Sequence, residues 1–377
     1  MADRCFVTYE QSYNKKEALE RVVERINEAA GGRVPILIVF FSSNVQFYYH
    51  SNKLHEIYPQ STIIGSSSYI CLSSEGYGPD GLCALAVFDG IDCVAGVIPE
   101  VQAYPMQYAS DVTEAAHRIT KFENTVCLEF TTALLACEEI VLDTLNKGLE
   151  GTGIPVFGSS SGMGASSIMT YVSLNGQIYN EACVFVLIHN EMGCIKLIRE
   201  NMYRPTIVSF MVTDVDCERR IIYEFDGRNA AQFLCEKLGI RKDRIRDYLA
   251  EHPFGCMVGD EIYNISVEDV DPDSGAVYCD SRVYNRTKIV LMEARPDIRE
   301  VWRQTYELAM DSGNFKPAFT LIANCTIRTD YLIEHRLIDE FNDAMTDYYK
   351  CYVGTSGMGE QLCDRHLNQT MIMALFE

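Results

Sequence analysis

Three short runs of glycine, serine and threonine recur in the chain, and their positions constrain the fold more than any other feature. The runs are Gly65–Ser68, Gly158–Gly162 and Gly354–Gly357. Each follows an apolar segment with the length of a buried strand, and a helical segment precedes that strand. This equivalence predicts an internal repeat of strand, helix, strand and small-residue loop, against the alternative that three short matches arise by chance.

Apolar periodicity and capping residues divide the chain into three passes of this pattern. Asn14 with Glu17 caps the first helix, Asp111 with Glu114 caps the helix that begins the second pass, and Pro296 opens the third. The third opening helix is predicted to end before Gly313. The other predicted segments are strands 36–41, 126–130 and 319–323, helices 45–57, 137–145 and one capped by Thr329, and later strands 82–88, 93–98, 171–174, 182–188, 194–198 and 370–376.

This order of elements predicts an α/β (mixed α+β) fold. Repeated strand-helix-strand-hairpin units are expected to form mixed sheets covered by helices, in two lobes. Residues 241–272 are charged and interrupted by proline and glycine, so the predicted boundary lies just before them, at Asp226-Gly227. The predicted domains are an N-terminal α/β domain at 1–226 and a C-terminal α/β domain at 227–377.

Composition excludes several classes of protein. The 32 basic and 53 acidic residues give a formal charge of −21, which disfavours unspecific binding to nucleic acid and to anionic membranes. The longest apolar stretches, 34–41 and 182–188, are far shorter than the ~20 residues of a membrane helix. The fifteen cysteines form no CxxC pair and the start of the chain lacks a signal-peptide pattern. We therefore expect a cytoplasmic protein with reduced thiols.

The small-residue runs and the polar C-terminal segment form the candidate site. Backbone amides of a glycine-rich loop approach a ligand closely, and hydroxyls donate or accept hydrogen bonds. We expect these groups to hold a ligand carboxylate, and Glu360 to hold an amine. The predicted ligand-binding residues are Gly65, Ser66, Ser67, Gly158, Ser159, Ser160, Gly354, Thr355, Glu360, His366 and Asn368.

Structural alternatives apply to both parts of this site. Each run is equally interpretable as a tight turn that needs small residues for packing. Alternation along a strand places His366, Asn368 and Thr370 on one face, where they line a pocket or form a structural hydrogen-bond network. No run matches a phosphate-binding GK[ST] loop or a GxSxG elbow, so nucleotide binding and serine hydrolysis are unsupported.

The order of these motifs resembles the FIST sensory domain. Residues 63–68 and 156–162 are similar to its N-terminal part, and Gly359-Glu360 followed by 366–370 is similar to the end of its C-terminal part. Residues 223–230 resemble the junction between the two parts. The resemblance implies a signal-transduction module that binds small molecules such as amino acids. The family's usual output modules are not present in this sequence, so the resemblance implies a separate signalling partner, a kinase or a cyclase.

Two other functions stay open. Some relatives are haem-containing nitric oxide sensors, and His50 or His366 are the candidate haem ligands here. A small-metabolite enzyme would use Glu360 and His366 as an acid/base pair, with Cys363 as nucleophile. A scaffold without ligand is the third class. The sequence favours a sensor that is not an enzyme, has no cofactor and binds a small molecule, without nucleic acid or membrane partners.

Overall fold

The computed structural model describes residues 3–119, 121–164, 167–259, 261–311 and 315–377. The predicted helix end at Gly313 lies outside them. The chain forms two compact units: the first comprises Met1–Arg199, Trp302–Arg365 and Met371–Glu377, and the second comprises Glu200–Val301 and His366–Thr370. Within the described residues, no helix combines the length and the apolar character needed to cross a membrane.

The first unit contains the repeat three times, and the first two copies follow one another directly. Copy one consists of β1 (Cys5–Gln11), α1 (Lys15–Ala30), β2 (Leu37–Ser42), α2 (Asn44–Ile57), β3 (Thr62–Ser67), β4 (Cys71–Ser73), β5 (Gly76–Gly78) and β6 (Gly81–Val87). Copy two consists of β7 (Ile91–Pro99), α3 (Ala109–Arg118), β8 (Thr125–Thr131), α4 (Glu138–Gly148), β9 (Val156–Ser160), β10 (Val172–Leu174), β11 (Gln177–Tyr179) and β12 (Ala182–Asn190).

The second unit interrupts the third copy after its opening strand, β13 (Ile195–Glu200). Its elements are β14 (Tyr203–Asp216), β15 (Ile221–Phe225), β16 (Arg228–Asn229), α5 (Ala230–Leu238), α6 (Ile245–Glu251), β17 (Phe254–Val258), β18 (Glu261–Ile265), β19 (Val267–Val270), β20 (Val277–Cys279) and β21 (Lys288–Ala294). The third copy resumes with α7 (Ile298–Met310), β22 (Phe319–Cys325), α8 (Thr326–Glu334), α9 (Ile338–Tyr348), β23 (Tyr352–Gly357), β24 (Glu360–Leu362), β25 (Arg365–Leu367) and β26 (Met371–Phe376).

The three copies form three six-stranded sheets with equivalent strand orders. These orders are β1-β6-β2-β3-β10-β11, β7-β12-β8-β9-β24-β25 and β13-β26-β22-β23-β4-β5. The central pairs β2/β3, β8/β9 and β22/β23 are parallel, and the strands on either side of each pair run antiparallel to it. The predicted mixed α/β fold with repeated units is therefore confirmed.

Hairpins are exchanged cyclically between the copies. The hairpin β10/β11 of copy two completes the sheet of copy one, β24 of copy three pairs with β9 of copy two, and β4 of copy one pairs with β23 of copy three. Because an isolated two-stranded hairpin is at best marginally stable in water, each copy depends on its neighbour's sheet. This exchange brings residues distant in sequence to the ends of β3, β9 and β23.

Local signals account for the first helix. The side chain of Asn14 accepts hydrogen bonds from the backbone N–H groups of Lys16 (3.2 Å) and Glu17 (3.4 Å), as the capping pattern predicts. Gly31 adopts a left-handed conformation at φ +58° and ends the helix. The apolar stripe of α1 is buried, with Val22 and Ile26 inaccessible to solvent. It packs in one core with Phe40 of β2 and Phe47 of α2.

The small-residue runs lie inside strands, so the prediction that they are loops is wrong. Gly65 belongs to β3, Gly158 to β9 and Gly354 to β23. A Cβ atom on Gly65 would lie 2.1 Å from the Phe40 ring, and one on Gly158 would lie 2.2 Å from a backbone oxygen of the neighbouring strand. Glycine is needed at these positions because the parallel strands pack closely. A strand that is rich in glycine and serine has the composition of a loop, so the sequence alone predicts a loop.

The second unit is built around one antiparallel sheet with the order β18-β17-β21-β14-β15-β20-β19, and β16 pairs with β15. Register shifts interrupt the pairing of β14 with both of its neighbours. Four phenylalanines, Phe210, Phe225, Phe233 and Phe254, contact one another in its core. The expected boundary at Asp226-Gly227 falls between β15 and β16, whereas the compact unit begins at Glu200.

Candidate functional site

The ends of β3, β9 and β23 converge in the first unit. The backbone N–H of Gly162 donates to Ser67 O (2.8 Å), that of Met358 to Ser160 O (3.1 Å), and that of Tyr69 to Ser356 O (3.0 Å). These three hydrogen bonds are equivalent. In each, a residue at the end of a parallel strand accepts from the segment that follows a parallel strand of another copy. The three small-residue runs are therefore brought together, as their positions in the repeat predicted.

The hydroxyls of these runs are buried and donate to protein oxygens. Ser67 Oγ donates to Gly162 O (2.9 Å), Ser159 Oγ to Gly359 O (3.2 Å), and Thr355 Oγ1 to Ser68 Oγ (2.9 Å). Ser66 Oγ donates to the carbonyl of its neighbour at 3.1 Å. These hydroxyls are therefore hydrogen-bonded within the protein. A ligand-binding role for these hydroxyls stays a prediction.

Two surface clefts lie at the opposite ends of the same strands. One, of about 460 Å³, is lined by residues before β8 and β9, namely Phe122–Thr125, Thr152, Gly153 and Pro155, with Ile195 and Leu197. The other, of about 530 Å³, is lined by residues around the starts of β2 and β3, namely Asn27, Ala30, Gly32–Val34 and Ile57–Gln60. None of the predicted ligand-binding residues lines either cleft.

The C-terminal part of the predicted site is divided between the two units. Glu360 is buried in the first unit, opposite Ser159 in the pairing of β24 with β9. His366 and Asn368 belong to the second unit. There the Asn368 side-chain oxygen accepts from Ser281 Oγ (2.7 Å).

The prediction that His366, Asn368 and Thr370 share one strand face is wrong. The strand β25 ends at Leu367, and β26 begins only at Met371. Between them the chain turns through Gln369, whose φ is +54°. A turn therefore interrupts the alternation of side chains on which the prediction was based.

The parallel strands of copy one end in what we call the imidazole cluster, Ser42 with His50. The Ser42 hydroxyl is 2.7 Å from His50 Nδ1, and His50 Nε2 is 2.9 Å from the Lys15 carbonyl. Because a carbonyl only accepts, Nε2 carries the proton and Nδ1 accepts from the serine. Burial lowers the pKa of His50 to about 4, so the ring is neutral at pH 7. Haem ligation by His50 would break the hydrogen bond of whichever ring nitrogen bound the iron.

The equivalent strand ends of copy two form the acidic cluster, defined as Glu129, Thr131, Glu138, Ser160 and Gln361. Thr131 Oγ1 donates to Glu129 Oε2 at 2.8 Å. Ser160 Oγ donates to Glu138 Oε1 at 3.4 Å and accepts from Gln361 Nε2 at 3.0 Å. Both carboxylic acids are buried. The cluster lies at the carboxyl ends of parallel strands, the edge where α/β sheets bind ligands.

Glu129 is the residue with the most unusual environment in this cluster. Its side chain is inaccessible to solvent, and Oε1 has no hydrogen-bond partner in the described part of the chain. Burial raises the pKa of Glu129 to about 8, and the nearby negative charge of Glu138 adds to the rise. The acid is therefore mostly protonated at pH 7. An unsatisfied buried oxygen costs roughly 1–3 kcal/mol, which invites a functional explanation.

The strand ends of copy three form the arginine cluster, Asn324, Arg328, Thr329 and Ser356. Asn324 Nδ2 donates to Thr329 Oγ1 at 2.7 Å, and the same hydroxyl is 2.7 Å from Ser356 Oγ. Arg328 is fully buried, donates to Asn324 Oδ1 at 2.5 Å and lies over the Phe341 ring. The strand ends of the three copies thus carry an imidazole, two acids and a guanidinium, although these side chains come from different positions of the repeat.

The loop before α4 distinguishes the acidic cluster further. One residue separates β2 from α2 and none separates β22 from α8, whereas 132–137 separate β8 from α4. Two non-glycine residues of this loop, Leu134 and Ala136, have left-handed φ angles of +70° and +51°. Such backbone strain concentrates at functional segments. Within the described ranges, no three His, Cys, Asp or Glu side chains are grouped as metal ligands would be.

Sequence reasoning missed Glu129, Glu138 and Gln361. The sequence does contain a signal for Glu129, because it is the single charged residue in the seven-residue strand β8. A charge at a buried strand position has to be paired or neutralised. Glu138 and Gln361 carry no comparable signal. Their position depends on the loop 132–137 and on the exchanged hairpin.

Family models match both parts of the chain. The FIST N domain matches residues 35–228 and the FIST C domain matches residues 230–363. The chain belongs to the FIST family. FIST domains are generally sensory domains that bind small ligands in signal transduction. In this FIST protein the acidic cluster is formed by the N domain together with Gln361 of the C domain.

Other comparisons add little. No curated protein matches this FIST protein. A solved structure of cyanuric acid hydrolase, described as an evolutionary innovation by structural concatenation, aligns over 99% of both chains with 11% identity and a TM-score of 0.34. The expectation that the chain is not an enzyme is corrected on this finding, because the matched protein is an enzyme. So distant a similarity assigns no reaction to this FIST protein.

Proposed function

We propose that this FIST protein is a small-ligand sensor whose acidic cluster binds the amine of an amino acid or a similar metabolite. The observation that carries the proposal is the buried Glu129 carboxyl, with its unsatisfied Oε1 and its raised pKa. A protein rarely retains such a group without a partner, and the partner with complementary chemistry is a cation that donates hydrogen bonds.

A primary ammonium fits the charges of the cluster. At pH 7 Glu129 is mostly protonated, because its pKa is about 8. A bound ammonium would favour the charged form of the acid and lower its pKa, so that the amine replaces the proton. Ser160 supplies a hydroxyl oxygen beside the two acids. The formal charge of −21 also favours the approach of cations over anions.

The loop 132–137 supports the proposal because it offers a route to the buried acids. It leads directly into Glu138, and Leu134 within it is 48% exposed. The start of the loop is held by hydrogen bonds between Thr132 and the backbone of Ala182, and the Ala133 backbone N–H donates to Thr170 Oγ1 at 2.8 Å. We expect this loop to open when a ligand enters. A separate kinase or cyclase as partner, and a cytoplasmic location, stay predictions.

Binding can be tested with a thermal-shift screen of the common L-amino acids, each compared with its N-acetyl derivative. The derivatives lack the ammonium and serve as matched ligands. A ligand present at 100 times its Kd stabilises the protein by about 2.7 kcal/mol. We expect one or a few amino acids to raise the Tm, and their N-acetyl derivatives to leave it unchanged.

Calorimetry then links binding to Glu129. Titration of the active amino acid at pH 7, in two buffers that differ in ionisation enthalpy, should show release of nearly one proton per ligand. Glu129→Gln should abolish both binding and proton release, whereas Glu150→Gln, which alters an exposed acid of the same copy, should retain both. Binding that persists in Glu129→Gln, or a screen without any stabilising amine, would contradict the proposal.

The same mixtures are analysed for turnover by mass spectrometry. Conversion of the ligand by the wild type, lost in Glu129→Gln, would replace sensing with catalysis at this cluster.

A further inference from the structure

Two cysteines 346 positions apart in sequence place their sulfur atoms 3.7 Å from each other. Cys5 opens β1, and Cys351 immediately precedes β23. Both residues are half-buried and both belong to the first unit. The Cys5 thiol also donates a hydrogen bond to the Ala318 carbonyl at 3.4 Å. Such a contact between thiols distant in sequence is a prerequisite for an intramolecular disulfide.

The surroundings give the two thiols different roles. The pKa of Cys5 is lowered, first by the hydrogen bond from Cys351 and then by the positive charge of Arg4. The pKa of Cys351 is raised by the same contact and by its burial. Of the two thiols, Cys5 therefore loses its proton more readily, and the thiolate form of Cys5 is stabilised by Cys351 and Arg4. A low-pKa thiolate beside a resolving cysteine is the arrangement found at redox-active cysteines.

We propose that Cys5 and Cys351 form a redox-active dithiol, a covalent modification site that reacts with a hydroperoxide. The Cys5 thiolate attacks the peroxide, so that an S–O bond forms and the O–O bond breaks. With hydrogen peroxide this gives a sulfenic acid and, after protonation of the leaving hydroxide, one water molecule. Cys351 then attacks the Cys5 sulfur, an S–S bond forms, and the oxygen leaves as a second water. Two thiols are oxidised and one peroxide is reduced.

Three other cysteines of the chain can be compared with Cys5. Cys71 and Cys83 also interact with each other, but both are fully buried, and burial raises the pKa of Cys83. Cys363 is exposed, yet its pKa is raised as well. Oxidation should therefore begin at Cys5 rather than at the most exposed or the closest-packed thiols.

Peptide mapping tests the proposal directly. Reduced protein is treated with a small excess of hydrogen peroxide, blocked with an alkylating agent and digested with trypsin without reduction. Cleavage after Arg4 and Lys350 gives peptides 5–15 and 351–365. We expect these two peptides to be cross-linked, with the bond at Cys351 rather than Cys363, and a loss of two from the fifteen thiols. Dithiothreitol should restore both.

Variants separate this chemistry from general oxidation. Cys351→Ser should abolish the cross-link and leave a Cys5 sulfenic acid that dimedone traps, and Cys5→Ser should abolish both products. Cys83→Ser and Cys363→Ser should retain the cross-link. The proposal is overturned if peroxide oxidises Cys363 before any 5–351 cross-link forms, or if Cys351→Ser yields no dimedone adduct at Cys5. The site is separate from the acidic cluster and does not depend on the proposed function.

Discussion

The imidazole cluster and the acidic cluster both lie at the ends of parallel strands in two copies of one repeat, yet their chemistry is opposite. In copy one, both nitrogens of His50 are hydrogen-bonded, and burial holds the ring neutral by lowering its pKa to about 4. In copy two, Glu129 retains an oxygen without a partner in the described residues, and burial holds the acid neutral by raising its pKa to about 8.

The difference shows that one topology supports both a fully hydrogen-bonded histidine and a buried acid with an unpaired oxygen. The ends of the parallel strands form a buried edge beside a helix. The side chains at this edge decide whether its polar groups are all hydrogen-bonded within the protein. His50 is fully hydrogen-bonded, to a serine hydroxyl and to a backbone carbonyl. Glu129 leaves one oxygen, Oε1, without a partner in the described residues, at a potential cost of roughly 1–3 kcal/mol. The complete hydrogen bonding in copy one and the unpaired oxygen in copy two can be tested separately.

The largest effect is expected from filling the space that the glycines leave. Gly158→Ala would place a Cβ 2.2 Å from the Glu129 backbone oxygen, where no flexible side chain can yield. We expect a loss of about 3 kcal/mol or more in the free energy of unfolding, measured by urea denaturation. Gly164→Ala is the matched control, because its Cβ would meet no atom within 4 Å. Equal stability of the two variants would contradict the close strand packing.

The second prediction compares the two central side chains. His50→Ala removes two hydrogen bonds and leaves a buried cavity, so we expect a loss of about 2–3 kcal/mol. Glu129→Gln keeps the size of the protonated acid and an oxygen that accepts from Thr131, so the change at pH 7 should be below about 1 kcal/mol. If Glu129→Gln were the more damaging of the two variants in urea denaturation, Glu129 would be a structural residue and the comparison would fail.

The third prediction concerns the pH dependence of stability. The folded pKa of Glu129, about 8, exceeds its ordinary value of 4.5. Between these two pH values the folded state binds a proton that the unfolded state does not, so stability falls as the pH rises from 4.5 to about 8. The slope should be about 1 kcal/mol per pH unit near neutrality. For His50 the folded pKa is the lower one, so stability falls as pH drops from 6.5 towards 4. Glu129→Gln should flatten only the first slope in Tm measurements from pH 4 to 9.

The sequence predicted what local patterns determine and missed what the hairpin exchange determines. The Asn14 cap, the repeat and the mixed fold follow from nearest-neighbour rules and periodicity. Gly65 and Gly158 looked like loop residues because no local rule reports the ring or the backbone that fills the space above a glycine. Gln361 reaches Ser160 only because β24 pairs with another copy's strand. Such pairings depend on tertiary structure that one sequence does not reveal.

Difference infrared spectroscopy of the wild type against Glu129→Gln observes the protonation of Glu129 itself and tests the central claim most directly. At pH 7 the wild type should show an additional band of a protonated carboxylic acid, and a binding amino acid should convert that band to the carboxylate signal. The N-acetyl derivative should leave it unchanged. A carboxylate signal at pH 7 without ligand, or a protonated band that persists when the amine is saturating, would contradict the account.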